Sequence, residues 1–203
     1  MLSDGQLLLK AICADPDADL PRLVYADYLD DKGQPERAAF IRLQCEFVRK
    51  CQAGNGLADD VLRTELAVLW AAHGERWRAE FPQIQGVDWD LFFHRGFAER
   101  VVVETDAILR DNAEAILGLN PIHHLRIRRF TGARGVTLIP ALRHLKSATI
   151  AVDLTHAAFD ELLAWDGFRG DFKLVLHPGS GPGTGRVAEV NAHFRHQLFR
   201  PLT

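Results

Sequence analysis

The residues best placed by type and spacing to do chemistry lie in FKLVLHPGSGPGTGRVAEVN, residues 172–191. Glycines at 179, 181, 183 and 185 separate an apolar run from a helix-like one. Such a loop can wrap backbone amides around a phosphate at a helix start. Gly183-x-Gly185-x-x-Ala188 also fits the G-x-G-x-x-A form of the dinucleotide fingerprint. Three requirements are missing. The sequence closes at Thr203 with no second strand for a βαβ unit, and no acid follows about 20 positions on to hold a ribose hydroxyl. No Gly-Lys-Ser/Thr completes a P-loop either. A surface loop is the expectation, and a phosphate- or nucleotide-handling enzyme using 179–185 ranks third among the functions.

Nine histidines raise the question of a metal. His123 and His124 are adjacent, so on a strand they point to opposite faces. His193 and His196 lie three apart on a helical stretch, but no cysteine or further histidine pair completes a four-ligand zinc set. His73 falls on the apolar side of a helix and reads as a core residue. No G-x-S-x-G elbow or reactive-cysteine signature is present. The expectation is no metal, no cofactor, no catalytic residue and a non-enzymatic chain.

The remaining chemistry is charge. The net charge is −3, which argues against wholesale binding to nucleic acid or an anionic membrane. Between Glu114 and Asp153 there is no acid at all, while Arg126, Arg128, Arg129, Arg134, Arg143 and Lys146 fall in that window. Six cations can neutralise phosphates with a steep salt dependence, so an anionic partner such as nucleic acid, bound through 123–146, is the second function. Phe130 is its single interleaved aromatic, and Arg126 and Arg128 can instead pair with Glu104 and Asp153 across strands.

Cys13, Cys45 and Cys51 are odd in number and have no paired spacing, as expected of reduced thiols in a cytosol. The start, MLSDGQLLLK, has no basic n-region with a long apolar core, and no run approaches 18 apolar residues. A cytoplasmic location without membrane contact is the default.

These side chains need elements to position them. Residues 1–80 read as a helical head. Asp4 is the expected cap of a helix that Asp15-Pro16 ends, and Pro21 opens a second that stops at Lys32-Gly33. Pro35 opens a third with the stripe Phe40, Leu43, Phe47 and Cys51, broken by residues 53–56. A fourth carries Leu62, Leu66, Leu69, Trp70 and His73, with Trp77 beyond a Gly74 interruption. Asp27 is expected to pair with an arginine of the next helix, Arg37 or Arg42.

Within that head, residues 8–46 resemble the repeat-companion domain, a short bacterial module often placed ahead of leucine-rich repeats. The resemblance rests on Asp15-Pro16-Asp17, PRLVYADYL (21–29), Gly33-x-Pro35-Glu36-Arg37-Ala38 and Phe40-Ile41-Arg42-Leu43-Gln44. Tyr28 departs from the tryptophan usual there. The resemblance covers about a fifth of the chain. It implies architecture and company, an adaptor in bacterial signalling, regulation or defence, and no activity.

Residues 81–203 carry an internal period. Apolar alternations start at Val101, Leu125, Ile150 and Leu174, spaced 24, 25 and 24 residues, within the leucine-rich-repeat range. Helical patterns lie between them: Ile108–Leu117, Val136–Leu145 and Phe159–Leu163, with Val187–Leu198 last. Val87–Phe93 and Phe97–Glu104 read as a hairpin beginning the sheet. The repeat is degenerate, because Phe130 stands where an asparagine ladder would run. The predicted class is α/β (α+β): a helical head, then a leucine-rich-repeat-like stack of about four β/α units with helices on one face.

Residues alternating with the buried ones should face the open side. Arg100, Glu104, His124, Arg126, Arg128, Asp153 and Lys173 are therefore the candidate partner-binding residues, joined there by Val102, Thr149, Ala151, Val175 and His177. Repeat proteins commonly seat partners on that surface. The leading function is a non-enzymatic protein–protein interaction module or adaptor.

Overall fold

A computed structural model describes residues 2–54, 59–89, 93–152, 155–166, 168, 170–176 and 184–198. The fold is α/β, with N-terminal helices followed by strands and helices around a mixed sheet. The chain forms two compact units. One comprises Met1–Pro82, Leu91–Glu99 and Leu119–Pro121, and the other Gln83–Asp90, Arg100–Gly118 and Ile122–Thr203.

The helical unit begins with α1 (Asp4–Ala14). Its cap is Ser3 rather than Asp4: the Ser3 hydroxyl accepts from Gln6 N and the Gln6 side chain accepts from Ser3 N, a reciprocal capping box. α2 (Leu20–Asp31) carries Pro21 in its first turn, where the missing N–H costs nothing, and ends before Gly33 at φ 72°. In α3 (Pro35–Gln52) the buried side is Arg37, Ala38, Phe40, Ile41 and Cys45. The expected stripe was rotated, since Cys51 is exposed. α4 (Asp60–Ala79) runs unbroken through Gly74. A Cβ there would lie 2.9 Å from the Trp70 ring, so this glycine makes room for the indole instead of interrupting the helix.

Two apolar clusters fill this unit. Ile12, Ala26, Leu29, Ala38, Ile41 and Cys45 close on Phe97, while Phe40 and Trp77 close on Phe93 and Ala98. Both therefore include a hairpin read from sequence as part of the sheet. Its strands β2 (Phe93–His94) and β3 (Phe97–Ala98) pair antiparallel across the turn Arg95-Gly96, and the whole stretch Leu91–Glu99 belongs to the helical unit. Both turn residues have positive φ, 48° and 87°, as a two-residue hairpin turn of matching twist requires. Gly96 is doubly constrained, because a Cβ would sit 2.4 Å from Ile41 Cγ1.

In the second unit, β1 (Val87–Trp89) pairs antiparallel with β4 (Arg100–Thr105), and β4, β5 (His124–Phe130), β6 (Ser147–Val152) and β7 (Asp171–Leu176) follow in parallel, in sequence order. The register is Val101↔Leu125↔Ala148↔Phe172 and Val103↔Ile127↔Ile150↔Leu174. Ile150 thus aligns with Ile127 and not with Leu125, whose partner is Ala148, so the third strand begins one pleat before the first large apolar residue. One face of these strands packs with Leu109, Ile116, Leu142, Leu162 and Phe168 into one core.

The connections differ in kind. β4 leads into α5 (Asp106–Asp111) and α6 (Ala113–Leu117), and β6 into α7 (His156–Leu163). The stretch Val136–Leu145, expected to be helical, forms two 3₁₀ turns, Val136–Leu138 and Pro140–His144. Gly135 at φ 83° and Pro140 in mid-run deny it an α ladder. α8 (Thr184–Leu198) follows β7.

Without an asparagine ladder, two carboxylates, buried Asp106 and half-buried Glu161, satisfy the turns. Asp106 is fully buried and accepts from Thr131 N (2.9 Å), Thr131 Oγ1 (3.0 Å) and Ala133 N (2.6 Å). Glu161 likewise accepts from Thr137 N (3.2 Å) and Thr137 Oγ1 (2.8 Å). Phe130 is itself buried, because a bulge between Ile127 and Phe130 inserts one extra residue in β5 and turns both Arg128 and Arg129 outward.

Candidate functional site

Alternation along β4–β7 puts two rows of side chains on the face opposite the core. Register fixes one row as Arg100, His124, Ser147 and Asp171, and the next as Asp88, Val102, Arg126, Thr149 and Lys173. Of the seven predicted site residues, Arg100, Glu104, His124, Arg126, Arg128 and Lys173 lie on this face. Asp153 lies outside the described residues, as does His177.

These residues are not equivalent. Arg128 is already engaged, with Asp88 at 2.6 Å and Glu104 at 3.6 Å. Its charge is largely cancelled, and the expected Glu104 pairing belongs to it rather than to Arg126. Arg126 and Lys173 are exposed, and no ion pair to either occurs among the described residues. Between them stands the short, half-buried Thr149.

His124 Nδ1 lies 2.8 Å from Ser147 Oγ. A serine on a histidine is the start of a nucleophile–base pair, but acyl chemistry also needs free donors for an oxyanion. The adjacent amides of Lys146 and Ser147 already donate to His123 O at 2.7 and 3.1 Å. The bond fixes the imidazole against the sheet. The basic window also divides: Arg126 and Arg128 lie on the open face, while Arg134 and Arg143 belong to the β5–β6 crossover, whose Val136 and Leu142 pack into the core. Those six cations therefore do not form one patch.

The helical unit holds a second polar constellation, which the sequence did not reveal. Arg22 is fully buried and donates to Glu99 Oε1 (2.8 Å) and Pro16 O (2.9 Å). Glu99 also meets His94 Nδ1 at 2.8 Å and Arg95 at 3.8 Å. Arg95 donates to Asp17 O (2.6 Å) and Pro16 O (3.1 Å). Arg37 donates to Gly96 O (2.5 Å), and Gln44 accepts from Gly96 N (2.6 Å) while donating to Phe93 O (3.0 Å). Arg37 sits among the rings of Trp77 and Phe93, each 4.9 Å from its guanidinium carbon.

Burial shapes the titration of this cluster. It lowers Arg37 to about 10, lowers Arg22 with the help of neighbouring Arg95, and pushes the Cys45 thiol up to about 11. Arg42 instead pairs with Asp27 (2.6 Å) and Asp30 (2.7 Å), the helix-to-helix pairing expected for Asp27. Beside the cluster is a cavity of about 490 Å³ lined by Phe47, Val48, Cys51, Leu66, Phe93 and His94 among others.

The other sequence candidates separate. Residues 177–183 of the glycine loop lie outside the described residues. His193 contacts Trp165 O (3.1 Å), and the side chain of His196 lies outside the described residues. His73 stacks on Trp77 at 5.5 Å. Among the described residues no three His, Cys, Asp or Glu side chains group as metal ligands, and no helix is long and apolar enough to cross a membrane. Compared with family models, curated proteins and solved structures, the chain matches none of them.

Proposed function

We propose that this chain is a non-enzymatic protein-interaction module, working in the cytoplasm, that presents the open face of its parallel sheet to a partner protein. The observation that carries the reading is the row Val102, Arg126, Thr149 and Lys173. It crosses four adjacent strands in register, and its two exposed cations have no ion-pair partner among the described residues. Core side chains pack on one face of this sheet and exposed cations stand on the other, and repeat architectures use such strand surfaces for binding. The resemblance of residues 8–46 to the repeat-companion domain supports the same reading, with a role as adaptor. Nucleic acid is the weaker alternative, because the basic window is split between the face and a crossover, and Phe130 is buried and unable to stack on a base.

The test is site-specific photo-crosslinking in cells. A photoreactive residue at Thr149 should give a discrete protein adduct, whereas one at Leu138, 73% exposed in the β5–β6 crossover, should not. Equal adducts from both positions, or none from Thr149, overturn the reading.

A further inference from the structure

We infer that the open face takes an acidic segment in polyproline II conformation, running across the strands, with carboxylates at positions i and i+3. The inference rests on the open-face reading and adds the chemistry of the partner. Neighbouring strands are about 4.8 Å apart, so Arg126 and Lys173, two strands apart on one face, begin about 9.6 Å from each other. A polyproline II helix repeats every three residues with a rise near 3.1 Å, which brings one of its faces round every ~9.3 Å. A β-strand brings the same face round at roughly 6.8 and 13.5 Å, and neither spacing fits.

An α-helix repeats over seven residues at about 10.5 Å, but it docks by a continuous apolar stripe. This row interrupts such a stripe with Arg126 and Lys173. Half-buried Thr149 between the cations and half-buried Val102 on the far side of Arg126 leave shallow steps, and Val175 in the next row is 38% exposed. Proline rings fit such steps at little entropic cost, because the segment is already extended before it binds. Asp88 sets the limit of the motif. It closes the row two strands beyond Arg126, so a third carboxylate in register would meet like charge.

The test is an NMR titration of the full chain, isotope-labelled, with two peptides of equal composition: Pro-Pro-Glu-Pro-Pro-Glu-Pro-Pro and Pro-Pro-Pro-Glu-Pro-Glu-Pro-Pro. The first should bind more tightly by a factor of up to about five, since one exposed ion pair is worth up to roughly a kilocalorie per mole. It should shift the amides of Arg126, Thr149 and Lys173. Arg126→Gln and Lys173→Gln should each cost about the same factor, and Arg143→Gln, in the crossover, should cost nothing. Equal affinity of the two peptides, or an equal loss from Arg143→Gln, overturns the inference. So does a single-stranded oligonucleotide that binds more tightly through Arg126 and Lys173. If neither peptide binds while Thr149 still gives its crosslink, the acidic segment is refuted and the open-face reading stands. If the peptide binds and the crosslink is absent, the open-face reading falls in its cellular form.

Discussion

Removing the Glu99 carboxylate is the sharpest perturbation of the helical unit. Its side chain is 8% exposed and Arg22 is fully buried, so Glu99→Ala leaves a guanidinium in the core with Pro16 O as its remaining named acceptor. His94 Nδ1 loses its carboxylate at the same time. Breaking one side of a buried ion pair costs about 3–5 kcal/mol, because the surviving charge stays desolvated. Arg95 keeps Asp17 O and Pro16 O, which places the expected cost toward the lower end of that range. With a urea m-value of about 2 kcal/mol/M, the midpoint should fall by roughly 1.5–2 M. Urea denaturation followed by tryptophan fluorescence reads the shift, since Trp77 is buried in this unit. A compensating variant, Glu99→Leu with Arg22→Met, removes both charges and should recover much of the loss. A midpoint within about 0.5 M of wild type for Glu99→Ala would mean that the pair is solvated and that Glu99 does not hold the Arg22 charge in the core.

Leu125, 2% exposed beneath the crossovers, should cost about 2–5 kcal/mol as Leu125→Ala; an unchanged thermal midpoint would place the strand outside the core. Asp106→Ala should cost roughly 3 kcal/mol by stripping acceptors from the Thr131 and Ala133 amides, and Asp106→Asn should cost less, both read by urea midpoint; an Ala variant as stable as wild type would deny the carboxylate its role in the turn. Cys45, held up at about 11 by burial, should resist iodoacetamide in the folded chain at pH 8 while exposed Cys51 reacts, as mass spectrometry will show. Because the folded thiol lies above its ordinary value of 9.0, its contribution to stability is complete below that value and is lost as pH rises toward 11; a Cys45→Ala chain should lack this component of the alkaline decline in a urea series at pH 8–11.

The sheet was legible because its signal is local. A strand announces itself over five or six residues by alternation, and β4–β7 appear where Val101, Leu125, Ile150 and Leu174 stand. The register was less legible, because the inward residue of β6 that pairs with Leu125 is Ala148, too small to count as a core residue beside Ile150. The Val136–Leu145 crossover has a helical apolar pattern, but pattern says which face is buried and not which hydrogen bonds close, and Pro140 decides the latter. On the open face, alternation identified the side chains and their direction. It did not reveal that Arg128 is spent on Asp88, since β1 pairs by a register that only the fold displays. The polar cluster was illegible for a different reason. Gln44, Arg37 and Arg22 find their partners 49 to 77 residues along the chain, and no periodicity encodes a contact at that range.

That last distance changes how the head motif should be understood. Arg22, Arg37 and Gln44 all fall within the segment that resembles the repeat-companion domain, and polar residues packed so densely suggest a ligand site. In this fold they converge on one hairpin: Arg22 takes Glu99, Arg37 takes Gly96 O, and Gln44 takes both Gly96 N and Phe93 O. Phe93, Phe97 and Ala98 complete the two apolar clusters from the same seven residues. A helical fragment ending at Pro82 would therefore leave Arg22 without its carboxylate, Arg37 without Gly96 O and two cores without a wall. Each desolvated group left unpaired costs on the order of 1–3 kcal/mol or more, against a net stability of about 5–15 kcal/mol for a whole domain. The motif residues are thus already occupied in holding the hairpin, which belongs to the same compact unit as the four helices. The open sheet differs in this respect, because Arg126 and Lys173 are exposed there and no ion pair to either occurs among the described residues.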